Sequence, residues 1–383
     1  MSNTSSTPVS LLHHFAKLED PRSDHTRLHG LLDIIGLTLC AVVSGAECWT
    51  EVENYAFEKW DWLESFLDLP NGIPSHDTLG RVFAAMDADA FQECFLHWMH
   101  AVVGASEGKL VAIDGKTLRR SFDTAKGKSA LHLVSAWASD NHLLLGQQAV
   151  ADKSNEITAI PALLQLLELQ GALVTIDAMG CQKKITEAIV AGGGDYVLAV
   201  KDNQPTLHED VHQVFMKGLE KDFAGLAHRH HQTTEKGHGR TETRHYHLIE
   251  VPEWLTAAHP QFTGLRTLGM VFSLRQVGQG PETMETRFYI SSMPLKVKAF
   301  AEAVRGHWSI ENNLHWVLDV VFQEDQSRLR KDHGPENLGL VRRIALSLLK
   351  RTPTKKKVGI ACKRKKAGWN NEFLVQVLLG QAA

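Results

Sequence analysis

The 383-residue sequence predicts an α/β protein with a mixed sheet, preceded by a helical N-terminal domain and interrupted by a β-rich insertion. Three observations carry that prediction. Up to about residue 105 the apolar spacing is helical, broken only by turn and cap residues. From Gly108 short apolar runs alternate with helical spacing in the order three strands, helix, strand, helix, strand, as in a layer whose antiparallel opening strands precede parallel units. Between about 203 and 295 this alternation stops and β-formers dominate, after which helical spacing returns. The expected units are therefore 1–105, 106–202, 203–295, 296–349 and a basic C-terminal tail with a helix, 350–383.

In the first unit, helices are expected at Leu31 to Ser44, Thr50 to Leu67, Asp77 to Met86 and Asp89 to Val103, divided by Gly45, Pro70-Asn71-Gly72, Pro74 and Asp87. The last two helices read either as a helix-turn-helix that contacts DNA or as two members of a plain bundle. Trp49, Trp60, Trp62 and Trp98 read as core or interface anchors. The next unit opens with Lys109 to Asp114, KLVAID, then Leu131 to Ala138 and His142 to Ala151 across the turn Ser139-Asp140-Asn141. Glu156 to Leu169 has helical spacing, and Ala172 to Asp177, ALVTID, is a second apolar run ending in an acid. Helix Gln182 to Ala191 leads through Gly192-Gly193-Gly194 to strand Tyr196 to Val200.

The insertion is expected to be mostly β, with strands at Gly269 to Gln276 and Thr286 to Ser292. It carries His208, His212, His228, His230, His231, His238, His245 and His247, which lack the spacing of a known zinc pattern and read as exposed or hydrogen-bonded histidines. Arg305 to Asp325, RGHWSIENNLHWVLDVVFQED, is expected to be one helix with two stripes. Ile310, Leu314, Val317 and Val321 recur at the spacing that buries one side. His307, Glu311, His315 and Asp319 recur every four residues at its edge, where a side chain is held rigidly yet reaches a cleft. A helix from Pro335 to Leu349 follows.

Composition narrows the class. Five cysteines, an odd number with no CxxC pair, favour neither a disulfide framework nor a cysteine zinc site, and a reducing cytoplasm is expected. The N-terminus lacks the basic and apolar segments of a secretory signal, and Leu31 to Val43 contains Asp33 and is too short to span a bilayer. Net charge is only −3, but Lys350 to Lys366 holds nine basic residues and no acid, so the remainder carries −12. A basic segment on an acidic protein is the footprint of a phosphate-backbone contact, which puts Lys355, Lys356, Lys357, Lys363 and Arg364 forward as DNA ligands; a solvated run is the alternative.

Asp114 and Asp177 each end an apolar strand, and the carboxyl edge of an α/β sheet is where ligands bind. Neighbouring carboxylates repel unless a cation lies between them, and oxygen ligands of this kind select Mg2+ or Mn2+. Glu311, delivered by a helix packed on the same sheet, would complete a site for two ions that activates a water or hydroxyl on one side of a phosphate and stabilises the leaving oxygen on the other. Asp319, Glu324 and Asp325 compete for the third acid, and Asp319 and His315 are candidates to support the ligands from behind. Lys116, Arg119 and Arg120 beside Asp114 are candidates to neutralise developing charge. Lys201, Asn203 and Gln204 are placed to hold a phosphate or a flipped base, or form a surface turn; Arg240 and Arg244 fit a DNA-contacting ribbon, or pair with Glu242.

The runs AIDGKTLRRS, DKSNEITAIPALL, TIDAMGCQ, DYVLAVKDNQ, HGRTETR and RGHWSIENNLHWVLDVVFQED, with DPRSDH and GIPSHDTLGRVF upstream, resemble the DDE transposases of bacterial insertion sequences, closest to the branch that includes the H-repeat-associated proteins. The resemblance covers nearly the whole chain. It implies a ribonuclease-H-like catalytic core with Asp114, Asp177 and Glu311 as the catalytic, metal-binding acids, and an insertion domain between the last two. It further implies Mg2+- or Mn2+-dependent cleavage and strand transfer on double-stranded DNA, at terminal inverted repeats and a target, by a homodimer on DNA in the bacterial cytoplasm at the nucleoid. The tyrosine, arginine, glutamate and lysine signature of related transposases falls here on Val304, His307, Glu311 and Leu318, with only the glutamate kept; Arg305 and His307 are the expected DNA-facing residues of that helix. A DNA-binding descendant without activity, and a nuclease of the same fold without end specificity, are the alternatives.

Overall fold

The computed structural model describes residues 13–103, 110–122, 129–140, 143–150, 156–237 and 239–379. The N-terminal helices are α1 (Leu31–Ser44), α2 (Trp49–Glu58), the single turn α3 (Trp60–Leu63), α4 (His76–Ala85) and α5 (Ala88–Val103). Gly45, at φ 122°, ends α1 in a conformation that glycine adopts without strain, and its N–H returns to the carbonyls of Ala41 and Val42. Ser75 caps α4, its side chain accepting from Thr78 N–H. The single long helix expected at Thr50 to Leu67 is instead α2 and α3, which meet at Lys59.

Strands β1 (Leu110–Thr117), β2 (His132–Ala138) and β3 (Leu143–Ala149) form the predicted antiparallel opening; of the turn between the last two, Asn141 lies outside the described residues. Helix α6 (Glu156–Gln165), β4 (Leu173–Ile176), α7 (Lys183–Ala191) and β5 (Asp195–Val200) follow, with β1, β4 and β5 parallel. The order β3-β2-β1-β4-β5, with β2 alone reversed, is the ribonuclease-H-like arrangement.

The insertion, expected to be mostly β, starts with a 16-residue helix, α8 (Pro205–Glu220), that the expected elements do not include. Pro205 sits in its first turn, where a missing N–H costs nothing, and Leu207, Val211, Val214 and Phe215 bury its inner side. Strands β6 (His228–Gly237), β7 (Arg240–Glu250), β8 (Thr267–Val277) and β9 (Thr283–Ser291), with the short helix α9 (Glu253–Ala258), then extend the same sheet, because β9 pairs antiparallel with β5. Among the described residues one sheet of nine strands results.

The expected Arg305 to Asp325 helix is interrupted. Helix α10 (Val297–Ile310) passes into a π-helical turn, Glu311–His315, and then into α11 (Trp316–Val320). A β-carbon at Gly306 would collide with Leu110, so glycine there lets α10 lie directly on β1. Helices α12 (Gly334–Arg351), α13 (Ile360–Trp369) and α14 (Asn371–Leu378) complete the described chain, and the last two fold back against α1 and α12. One buried core joins the N-terminal helices, Ala112 and Trp137 of the sheet, the Ile310 to Phe322 segment and these C-terminal helices; a second, on the other face, joins Val111 and Ile113 to α6, α7 and α8. Alternate residues of β1 thus serve opposite faces, which directs Asp114 to the side covered by α10.

Candidate active site

Parallel pairing matches Ile113 with Ile176, so Asp114 and Asp177 lie at the same level of neighbouring strands. Asp177 follows the end of β4 as expected, but Asp114 does not end its strand: β1 runs on to Thr117 because its pairing with β2 continues past the parallel pairing with β4. Above them the π turn carries Glu311 at its start and His315 at its end. Ligand atoms of Asp114, Glu311 and His315 all lie within 4.8 Å of one another. His315 is buried, and its Nε2 is 3.3 Å from Asp114 Oδ2. His307, one turn earlier, approaches Thr175 Oγ1 of β4 at 3.2 Å and so ties the helix to the second acidic strand.

The two aspartates differ electrostatically. Burial by itself would raise the Asp114 carboxyl, but His315, His307 and the Gly115 N–H bring it below the usual carboxylate range. Asp177 is raised, first by burial and then by the negative charges of Asp114 and Glu156. Its Oδ1 accepts from Met179 N–H at 3.1 Å. His307 is lowered, chiefly by burial. The two carboxylates and the imidazole of Asp114, Glu311 and His315 form a donor set that fits a divalent ion, and Asp177 lies at the same level of the neighbouring strand.

Residues 12–99 match the family described as DDE_Tnp_1-associated, and residues 105–348 match the one described as Transposase DDE domain. The chain belongs to the DDE transposase family. Similar curated proteins include "Putative transposase YncI" of Escherichia coli O157:H7, 42% identical with 96% of this chain and 94% of the relative covered. "H repeat-associated putative transposase YhhI" of E. coli K12 is 39% identical with 97% and 98% covered. A solved piggyBac transposase synaptic complex with hairpin DNA is similar at TM-score 0.43 and 10% identity, covering 96% of this chain and 81% of that one.

In this DDE transposase family member a groove of about 480 Å3 lies between the insertion and the glutamate helix, and none of the three acids lines it. Arg240, Arg244, Arg275, Arg287 and Arg305 line it, with Trp308 and Asn312 of the glutamate helix. Arg244 is buried against Glu235 and Glu242, and Arg305 also pairs with Glu235, so these two arginines fasten the β6–β7 ribbon to α10. Arg287 pairs with Glu285 and stacks 4.7 Å over exposed Trp308. Arg240 and Arg275 are exposed and form no ion pair among the described residues. Arg275, Arg287 and Trp308 escape a sequence reading because strand register and the helix crossing bring them together; the alternation of Arg287 with buried Phe288 is the available signal.

Other candidates are placed differently from expectation. Lys116 is buried, with Nζ 2.5 Å from Asp319 and 3.3 Å from Asp325, so it joins β1 to the glutamate helix and the loop after it rather than facing a ligand. Those bonds also withdraw Asp319 and Asp325 as metal ligands, and Glu324 is buried against Arg343 at 2.7 Å. Arg119 and Arg120 are exposed, Arg119 at 3.3 Å from Asp325. Asn203 Nδ2 donates to Ala178 O at 2.7 Å and so holds the turn after Asp177, while Lys201 is exposed and lines a 160 Å3 cavity with Asp177, His307 and Trp308.

The basic segment divides. Lys355, Lys356 and Lys357 are exposed, but Lys363 and Arg364 are buried and do not face DNA. Lys363 Nζ donates to the carbonyls of Leu349 (2.7 Å) and Thr352 (2.6 Å), and Arg364 donates to Val42, Ala46 and Val321 carbonyls and to Glu47. The physical reason is that helix C-termini leave carbonyls unpaired and carry partial negative charge, which draws cations. Of the insertion histidines, His228, His230, His245 and His247 stack across β6 and β7, and His238 lies outside the described residues. All five cysteines are free. Among the described residues no single helix is long and apolar enough to cross a membrane.

Proposed function

We propose that this protein is a metal-dependent DNA transposase that binds the terminal inverted repeats of its own element, hydrolyses the phosphodiester at each end and joins the freed 3′ hydroxyl to target DNA. The observation that carries this reading is the convergence of Asp114 and Glu311 within 4.8 Å, at the level of the sheet where Asp177 follows β4, with an arginine-lined groove bordered by Trp308 and Asn312 of the glutamate helix. Asp114, Asp177 and Glu311 would hold Mg2+ or Mn2+, which when bound activates the attacking oxygen and stabilises the leaving one.

The chain's own groups do the positioning. The parallel register of β1 and β4 holds two carboxylates at one level of a rigid sheet, and the Lys116 to Asp319 bond and the His307 to Thr175 contact hold the glutamate helix over them. Arg240, Arg275 and Arg287 are placed for phosphates of DNA lying along the groove. Two ends must be handled together, which calls for a homodimer on DNA, and the setting is the bacterial cytoplasm at the nucleoid.

The test is cleavage of a plasmid carrying the element's two ends by purified protein in Mg2+ or Mn2+, beside Asp114→Asn, Asp177→Asn and Glu311→Gln. Each substitution is expected to lower end nicking by about 10³-fold or more while end binding is retained. Binding without any cutting by the wild type in either metal would refute catalysis and leave a DNA-binding descendant. Cutting that ignores end sequence would point to a nuclease instead.

A further inference from the structure

We propose that His315 is itself a metal ligand, so that one ion position is built from Asp114, Glu311 and the His315 imidazole and prefers Mn2+ to Mg2+. The inference rests on the metal-dependent reading above and deepens it. Its first ground is that His315 is only 4% exposed, yet neither ring nitrogen makes a hydrogen bond among the described residues. A buried imidazole whose Nε2 meets the Asp114 carboxylate at 3.3 Å without an aligned hydrogen bond, and whose Nδ1 has none, is costly, and a bound ion would satisfy it.

Its second ground is geometry. Nε2 stands 3.3 Å from Asp114 Oδ2 without forming an aligned hydrogen bond to it. Adjacent ligands of an octahedral ion with bonds of about 2.1 Å are separated by about 3.0 Å. The two atoms therefore stand as neighbouring ligands of a common centre do, with a Glu311 oxygen inside the same 4.8 Å group.

The third ground is the backbone. The helix widens to a π turn only over Glu311–His315, where Trp316 N–H returns to Glu311 O. Such turns are frequent at functional sites, and this one begins and ends on the two residues that meet Asp114. The orienting role open to a nearby histidine is already filled by His307 at Thr175. Asp177, engaged with Met179 N–H, lies outside the three-residue group and is left for a second ion position. Carboxylates suit both Mg2+ and Mn2+, but Mg2+ is the stricter oxygen binder and Mn2+, a transition-metal ion, accepts an imidazole more readily, so a nitrogen in the set favours Mn2+ relative to Mg2+.

The experiment titrates Mn2+ into the full-length protein without DNA and records electron spin echo modulation, with Mg2+ affinity read by competition. The expected result is a 14N imidazole coupling in the wild type that changes when the protein carries 15N-histidine, a readout that needs no substitution. The coupling should vanish in His315→Gln, persist in His307→Gln, and accompany a loss of about tenfold in Mn2+ affinity with Mg2+ affinity nearly unchanged. Mn2+ binding that requires Asp114 but shows no 14N coupling, or a coupling that disappears with His307 instead, overturns the assignment of His315 and leaves the carboxylate site standing. Absence of Mn2+ binding, or binding indifferent to Asp114→Asn, overturns both.

Discussion

Positive charge gathers in two places in this molecule, and they use it in opposite ways. In the groove beside α10, Arg240 and Arg275 stay exposed, and Arg287 lies flat on Trp308. In the C-terminal segment, which is far more basic by sequence, Lys363 and Arg364 turn inward onto the carbonyl ends of α12 and α1. Antiparallel strands satisfy their own carbonyls through the ladder, so an arginine on a strand keeps its charge for a ligand or a carboxylate. Helix ends leave carbonyls open, and a cation within reach is captured. Local density of lysine and arginine therefore says less about DNA contact than the kind of element that faces them.

The largest effect expected from this contrast is at Arg364. Its guanidinium meets Val42, Ala46, Glu47 and Val321 and stacks 4.1 Å over Phe322, joining α1 to the end of the glutamate helix. Arg364→Ala leaves a half-buried carboxylate and several carbonyls unpaired, and should cost about 3–5 kcal/mol by denaturant unfolding. A loss under about 1 kcal/mol would mean that the residue is a surface cation after all.

Lys350 sharpens the contrast through pH. Burial, and then the charge of Lys363, bring its pKa down to about 8; its Nζ donates to Asn313 in the π turn at 2.9 Å. A lysine lowered on folding binds fewer protons in the native state than in the unfolded chain between about pH 8 and the unfolded value of about 10.4, so its contribution to stability rises with pH through that window. Wild type is expected to gain about 1–2 kcal/mol more than Lys350→Met between pH 7.5 and 9.5. Parallel curves for the two proteins would show that Lys350 is not buried as described.

Exposed groove arginines should behave in the reverse manner. Arg240→Ala with Arg275→Ala is expected to leave stability within about 0.5 kcal/mol, but to weaken end binding about tenfold and flatten its salt dependence by about two contacts. Unchanged salt dependence would exclude the groove from the DNA path.

What could be read from sequence follows the same division between local and distant causes. Asp114 and Asp177 were visible because each follows an apolar run directly in the chain, but only Asp177 ends its strand; that β1 continues to Thr117 depends on pairing with β2, which the run itself does not show. Glu311 was visible from the period of its neighbours, and the helix positions Leu314 and Val317 are buried as that period requires. The π turn was not visible, because side-chain spacing is the same in sequence whether the backbone bond spans four residues or five. His315 therefore looked like a supporting residue rather than part of the Asp114 and Glu311 group. Helix α8 carried a legible period, but the insertion's histidines and later β-formers obscured it. The burial of Lys363 and Arg364 had no local signal, since Val42 lies more than 300 residues away in sequence from Arg364.

The smallest effect belongs to Lys355, Lys356 and Lys357, the part of the basic segment that stays in solvent. They precede α13 in an irregular stretch that bends at Lys355 and Lys356, and no ion pair holds them among the described residues. Changing all three to alanine should leave unfolding within about 0.5 kcal/mol of wild type, because nothing folded depends on them. Their remaining use is long-range attraction to phosphate, so the triple variant should bind DNA of any sequence more weakly at low salt and match the wild type at high salt. Equal weakening at every salt concentration would point instead to a specific contact at the element's ends, and would return this stretch to the same class as the groove.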